Sequence, residues 1–143
     1  MKVRDILAIK GPQVHTIDPD RTVLEAVALL VQHGIGALLV RDGRGVVVGI
    51  ITERDVLREC RDRSPALDRI RVAEVMTKDL VICVPEDEVD YAMGIVTKNR
   101  VRHLPVMDAD RVAGMISIGD LVKASLEAAE YENRYLREYI QGR

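Results

Sequence analysis

The chain has 143 residues, of which 48% are apolar and 31% charged, with a formal net charge of −2. That composition fills and solvates one compact domain or two small ones, and its balance gives no reason to expect a nucleic-acid or membrane partner. There is no Phe and no Trp, so the core must be aliphatic, and no apolar run approaches the ~18–20 residues that span a bilayer.

Taken in order, Met1 to Asp5 lacks the long apolar stretch of a secretory signal, which leads to the expectation of a cytoplasmic protein. A short apolar run, Val14 to Ile17, reads as a strand. A helix follows from about Thr22 to His33, with Thr22 and Glu25 spaced as a capping box and Gly34 as its stop. Leu38 to Val40 and Val46 to Ile51 read as strands joined by a hairpin turn at Asp42-Gly43-Arg44-Gly45. The Val46-Val47-Val48 run argues against a phosphate loop built on those glycines, because a helix should begin there. A second helix starts near Thr52. Cys60 and Cys83 show no CxxC spacing, and no two of the three histidines stand at ligand spacing. The thiols are expected to be reduced, and no metal site is expected.

From Arg61 to Arg71, with Ser64-Pro65, the chain reads as a linker, and then the pattern recurs. At a shift of 66 residues, Val23-Leu24-Glu25-Ala26-Val27 lies over Val89-Asp90-Tyr91-Ala92-Met93, and Ala37-Leu38-Leu39-Val40 over His103-Leu104-Pro105-Val106. With small slips at turns, Val3 to Leu7 matches Val72 to Met76. Leu80 to Val84 takes the place of the first strand. The division expected is repeat 1 over 1–63, a linker over 64–71, repeat 2 over 72–126, and a helical extension over 127–143. Each copy runs β-α-β-β-α. Neither is long enough to bury its sheet well alone, so stacked sheets, outer helices and pseudo-two-fold symmetry are expected, with a cleft along the pseudo-axis.

The most informative feature is Gly49-Ile50-Ile51-Thr52-Glu53-Arg54-Asp55 repeated as Gly114-Met115-Ile116-Ser117-Ile118-Gly119-Asp120. A hydroxyl at a strand-to-helix junction caps the helix, and an acid three residues on completes the box. The same junction, with open N–H groups and a hydroxyl, suits a phosphate. The aspartate then makes sense as an acceptor for ribose hydroxyls.

Two such heptapeptides, each closing a β-α-β-β-α unit, resemble the tandem repeats of the cystathionine-β-synthase (CBS) family over about Val3 to Leu126. The resemblance implies an α/β fold of paired repeats that binds an adenine nucleotide between them. It implies one site built from Ser117, Ile118, Gly119 and Asp120 with Val14, Ile35, Gly36 and Ala37. It implies another from Thr52 and Asp55 with Leu80, Val101 and Arg102, where Glu53-Arg54 either crowds the ligand or, through Arg54, helps to hold it. Met76-Thr77 resembles the stretch that can touch the base, or is a packed Met beside a turn Thr. Arg102 and His103, in a strand, would face opposite ways, one or both neutralising phosphate or simply serving as a surface Arg and a core-edge His. Lys98 and Arg100 are available to add to that field or to solvate a helix end. The Asp120 site is favoured, because Gly36 and Ala37 leave room for a base, His103 is placed for a phosphate, and Gly119 leaves the helix start open.

From Leu121 to Ile140 the chain reads as one long helix or two, with Ala128, Tyr131, Tyr135 and Tyr139 on one face and Glu130–Arg134 paired on another. It either packs on its own domain or meets a second copy. The expectation is a regulatory, non-catalytic module that forms a homodimer and signals to an effector protein. AMP is the favoured ligand; ADP, ATP, S-adenosylmethionine and NAD are the alternatives. The rivals are a ligand-free interaction scaffold, an enzyme using His103 as base, and a nucleic-acid binder.

Overall fold

The computed structural model describes residues 1–63 and 66–141; Ser64-Pro65 of the expected linker lie outside the described residues. In chain order the elements are α1 (Val3–Lys10), β1 (Thr16–Ile17), α2 (Val23–His33), β2 (Ala37–Arg41), β3 (Val47–Thr52), α3 (Glu53–Arg63), α4 (Val72–Val75), α5 (Val89–Asn99), β4 (His103–Asp108), β5 (Arg111–Ser117) and α6 (Ile118–Ile140). The architecture is mixed α/β, with one sheet of order β1-β2-β3 and a β4-β5 hairpin.

Local chemistry explains most boundaries. The Thr22 hydroxyl accepts the Glu25 N–H at 3.1 Å, and Gly34 ends α2 in the left-handed region that glycine enters freely. Only half of the expected capping box forms. The Glu25 carboxylate accepts from the Thr22 hydroxyl at 3.3 Å on one oxygen and from Arg21 at 2.8 Å, a charge-assisted bond, on the other. Asp42 takes the N–H groups of Arg44 and Val46 and sets the first hairpin turn. In the second copy the strands pair out to Asp108↔Arg111, with Ala109 at φ 54° in a shorter turn. That missing residue changes the repeat shift from 66 to 65 across the hairpin. The strand registers nonetheless coincide. Ala37↔Thr52 and Val40↔Gly49 recur as His103↔Ser117 and Val106↔Gly114, and an irregularity follows Val40 and Val106 alike.

Two expectations are corrected. Leu80 to Val84 is not a strand. Only Cys83 bridges β4, donating its N–H to Pro105 and accepting from Met107, and the run ends against Pro85, which has no N–H to give. Arg102 is not in β4 either, which begins at His103. The Arg102 carbonyl instead accepts the Ile118 N–H at 2.8 Å.

The chain forms two units, one continuous from Val14 to Leu80, the other made of Met1–Gln13 and the chain from Val81 onward. Each has its own aliphatic cluster. The sequence repeats and the units do not coincide. Helix α1 opens the first repeat, yet Val3 and Ile6 are buried with Val89, Leu104 and Leu121 of the second. Helix α4 opens the second repeat, yet Val72 is buried with Ile17, Leu38 and Ile51 of the first. Hydrogen bonds repeat the exchange. Val3 and Arg4 donate to the carbonyls of Asp87 and Pro85, as Val72 and Ala73 donate to those of Arg21 and Pro19. Burying a Val or Ile side chain contributes about 1.5–3 kcal/mol, so each unit depends on the segment that opens the other repeat.

The last helix, α6, is a single helix of 23 residues. Leu121 and Ala124 are buried, whereas Tyr131, Tyr135, Leu136, Tyr139 and Ile140 are between 52% and 80% exposed. Its second half therefore does not pack on its own unit. Glu130 and Arg134 do not close to an ion pair among the described residues. No helix among the described residues is long and apolar enough to cross a membrane.

Candidate functional site

Both heptapeptides fold as a strand-to-helix corner, β3 into α3 and β5 into α6. In the first, the Thr52 hydroxyl accepts the Asp55 N–H at 3.3 Å, and Asp55 Oδ2 takes the Thr52 N–H and hydroxyl. In the second, the Ser117 hydroxyl accepts the Asp120 N–H at 3.1 Å, and Asp120 Oδ2 takes the Ser117 N–H at 2.8 Å. These reciprocal bonds satisfy helix-start donors that the preceding turn leaves open.

The glycine that opens each pattern has a steric reason. A Cβ on Gly49 would sit 2.8 Å from the Met76 sulfur and 2.9 Å from the Thr77 carbonyl oxygen, and one on Gly114 would sit 2.6 Å from a Leu7 methyl. Met76 thus covers the strand in one unit as Leu7 does in the other.

The corners part ways at the acid. Asp55 is 6% exposed, its Oδ1 accepts the Thr77 hydroxyl at 3.3 Å, and Arg58 stands 3.9 Å away. Asp120 is more open, and Lys10 reaches it from the end of α1: Nζ lies 2.7 Å from Oδ2 and 2.7 Å from the Met115 carbonyl oxygen. Partial burial pushes the Asp120 carboxyl up, but the Lys10 ammonium and the Ser117 N–H outweigh it and hold it below the ordinary aspartate value.

The remaining expected site residues divide between the units. Gly36 and Ala37 stand beside the Thr52 corner; the Gly36 carbonyl accepts the Glu53 N–H at 3.0 Å and Ala37 pairs with Thr52. Val14, Ile35, Arg54, Met76 and Leu80 belong to the same unit. Arg102 and His103 stand beside the Ser117 corner, together with Val101, Ile118 and Gly119. Lys10 escaped the sequence reading because the repeat alignment stops at Leu7 and gives it no counterpart. Two histidines meet unexpectedly. The His15 and His33 rings stack with centroids 3.9 Å apart, and partial burial and the second ring lower the His15 pKa. No group of three metal-ligating side chains gathers among the described residues.

Comparison with known proteins agrees with this geometry. A CBS domain profile matches residues 3–62 and 72–127. A mitochondrial CBS domain-containing protein of Arabidopsis thaliana is 40% identical over 127 residues, covering 86% of this chain and 62% of its own length. The crystal structure of a CBS-domain containing protein from Agrobacterium tumefaciens superposes with a TM-score of 0.85 at 43% identity, covering 87% of this chain and 99% of that one. A CBS domain pair crystallised with 5′-methylthioadenosine and S-adenosyl-L-methionine superposes with a TM-score of 0.77 at 26% identity, covering 90% of this chain and 98% of the other. With the repeated strand-to-helix corner, the two matched segments and these likenesses together, the chain belongs to the CBS domain family as a pair of repeats.

Proposed function

We propose that this CBS pair is a non-catalytic regulatory module that binds an adenosine ligand, with AMP favoured, and passes its occupancy to an effector protein or to a second copy in a homodimer. The observation that carries the reading is the corner at Asp120, where a carboxylate held by a helix cap keeps Oδ1 without a hydrogen-bond donor among the described residues. An ionised acceptor in that position suits the vicinal hydroxyls of a ribose. The complex of a related CBS pair with two adenosine derivatives supports the choice of nucleoside. The choice of AMP rests on the helix start beside the carboxylate, which favours an anion, and on a sequence with no clamp for a polyphosphate. Ligand binding would act by favouring one arrangement of the protein that the partner reads.

Thermal unfolding with and without about 1 mM AMP, ATP, S-adenosylmethionine or NADH tests the proposal. A ligand at ~100 times its Kd adds about 2.7 kcal/mol, a shift of several degrees for a chain this size. A shift with an adenosine ligand that disappears in Asp120→Asn supports it. No shift with any of the four points to an interaction scaffold, for which the exposed tyrosines of α6 are the surface.

A further inference from the structure

We propose that Lys10 makes the Ser117–Asp120 corner selective for a nucleoside that carries a 5′-phosphate over the same nucleoside without one. The inference rests on the adenosine reading above and adds the charge of the ligand.

The two corners supply the argument. The carbonyl of Ile50 accepts the Thr77 backbone N–H at 2.8 Å, and Asp55 accepts the Thr77 hydroxyl. At the matching positions the Met115 carbonyl and the Asp120 carboxylate both accept from one group, the Lys10 ammonium. A neutral, backbone-fixed residue therefore suffices to satisfy both acceptors, and lysine adds something that this task does not need: a full positive charge on a flexible stem, 37% exposed.

That charge stands where a phosphate would arrive. Among the described residues the Gly119 N–H donates to no group, while the N–H groups on either side of it are taken by the Arg102 carbonyl and the Ser117 hydroxyl. The corner thus offers one acceptor, Asp120 Oδ1, and one backbone donor in the first turn of a 23-residue helix. A ribose hydroxyl on Oδ1 brings its 5′ substituent near the Lys10 ammonium, which lies 2.7 Å from the other carboxylate oxygen. The ammonium can then exchange the Met115 carbonyl for a phosphate oxygen without any backbone movement, keeping its bond to Asp120. It also offsets the carboxylate charge, which would otherwise repel the phosphate. A neutral 5′ group gains neither effect, and a sulfonium is repelled.

Calorimetric titration of the full chain with AMP and with adenosine tests this, using wild type, Lys10→Met and Lys10→Arg. Wild type should prefer AMP by roughly ten- to a hundredfold, the range for hydrogen bonds to charged groups. Lys10→Met should bring the preference close to unity by losing AMP affinity while adenosine affinity stays within a few fold. Lys10→Arg should keep the preference. If Lys10→Met does not fold, Lys10→Gln, a neutral side chain that keeps a hydrogen-bond donor, gives the same comparison. An unchanged AMP-to-adenosine ratio in the neutral variants, or equal loss of both ligands, overturns the inference and leaves the adenosine reading standing. Equal affinity of wild type for AMP and adenosine does the same. Failure of wild type to bind either ligand overturns both.

Discussion

The Thr52–Asp55 and Ser117–Asp120 corners come from one seven-residue pattern and share one strand register, yet their acids are used differently. Asp55 is buried and both of its oxygens are engaged by Thr52 and Thr77. Asp120 is partly open, held on one oxygen by Ser117 and Lys10. The difference lies in the segment that arrives over each strand. Helix α4 stops after four residues, and Thr77 then bridges Ile50 through both backbone bonds. Helix α1 runs on to Lys10, so a long side chain replaces that bridge. A repeated motif therefore need not mean a repeated site: one copy can close around its acid for stability while the other keeps it available.

Substitutions at the two acids press this contrast hardest. Asp55→Ala should cost about 2 kcal/mol in urea unfolding, because it removes the cap partner of the Thr52 N–H and leaves the Thr52 hydroxyl unpaired in a partly buried setting. Asp120→Ala should cost about 1 kcal/mol, the value of a cap, yet abolish ligand-induced stabilisation. A larger loss at Asp120 than at Asp55 would reverse the assignment of roles.

The paired glycines come next. Gly49→Ala should cost about 1–3 kcal/mol, since its Cβ meets the Thr77 carbonyl, which is pinned by a backbone bridge. Gly114→Ala should cost less, because its Cβ meets only the tip of Leu7, which can turn. Melting temperatures of the two variants decide it, and equal losses would show the Leu7 side to be as rigid as the Met76 side.

Acid gives the smallest effect. The folded pKa of Asp120 is depressed, so its contribution is complete above the ordinary aspartate pKa of 3.8 and is lost as pH falls through the lower folded value. The Lys10–Asp120 pair is partly exposed, which limits that contribution to a few tenths of a kcal/mol. Wild type should therefore lose slightly more stability than Lys10→Met between about pH 4 and pH 2, as read by urea midpoints at each pH. Parallel curves would mean that the pair contributes nothing to folding.

The sequence carried the repeat, the order of elements and both corners, because each is a local matter of periodicity, capping and turn residues. Gly34 and the Asp42 turn were legible for the same reason. Leu80 to Val84 misled because its apolar content is that of a strand, while a single bridge and Pro85 decide its pairing. The exchange of α1 and α4 between units was not legible, since a repeat alignment records which residues correspond and not which ones touch. Lys10 was hidden for that reason. Its partner is 110 residues away in the chain, and the equivalent bonds in the other copy come from a threonine at a different offset.

The exchange also orders the assembly of the molecule in time. Residues 14–80 form an uninterrupted stretch whose sheet, helices and α4 are all present once Leu80 has been synthesised. Its α4 contacts with Arg21 and Pro19 close over shorter stretches of chain than those of α1 with Asp87 and Pro85, and shorter loops close at lower entropic cost. Helix α1 precedes that unit in the chain but packs with Val89, Leu104 and Leu121, so Val3 and Ile6 wait while the whole other unit is translated. Helix α1 is thus made before residues 14–80 and buried after them, and the unit that carries the open corner is the later of the two to be completed.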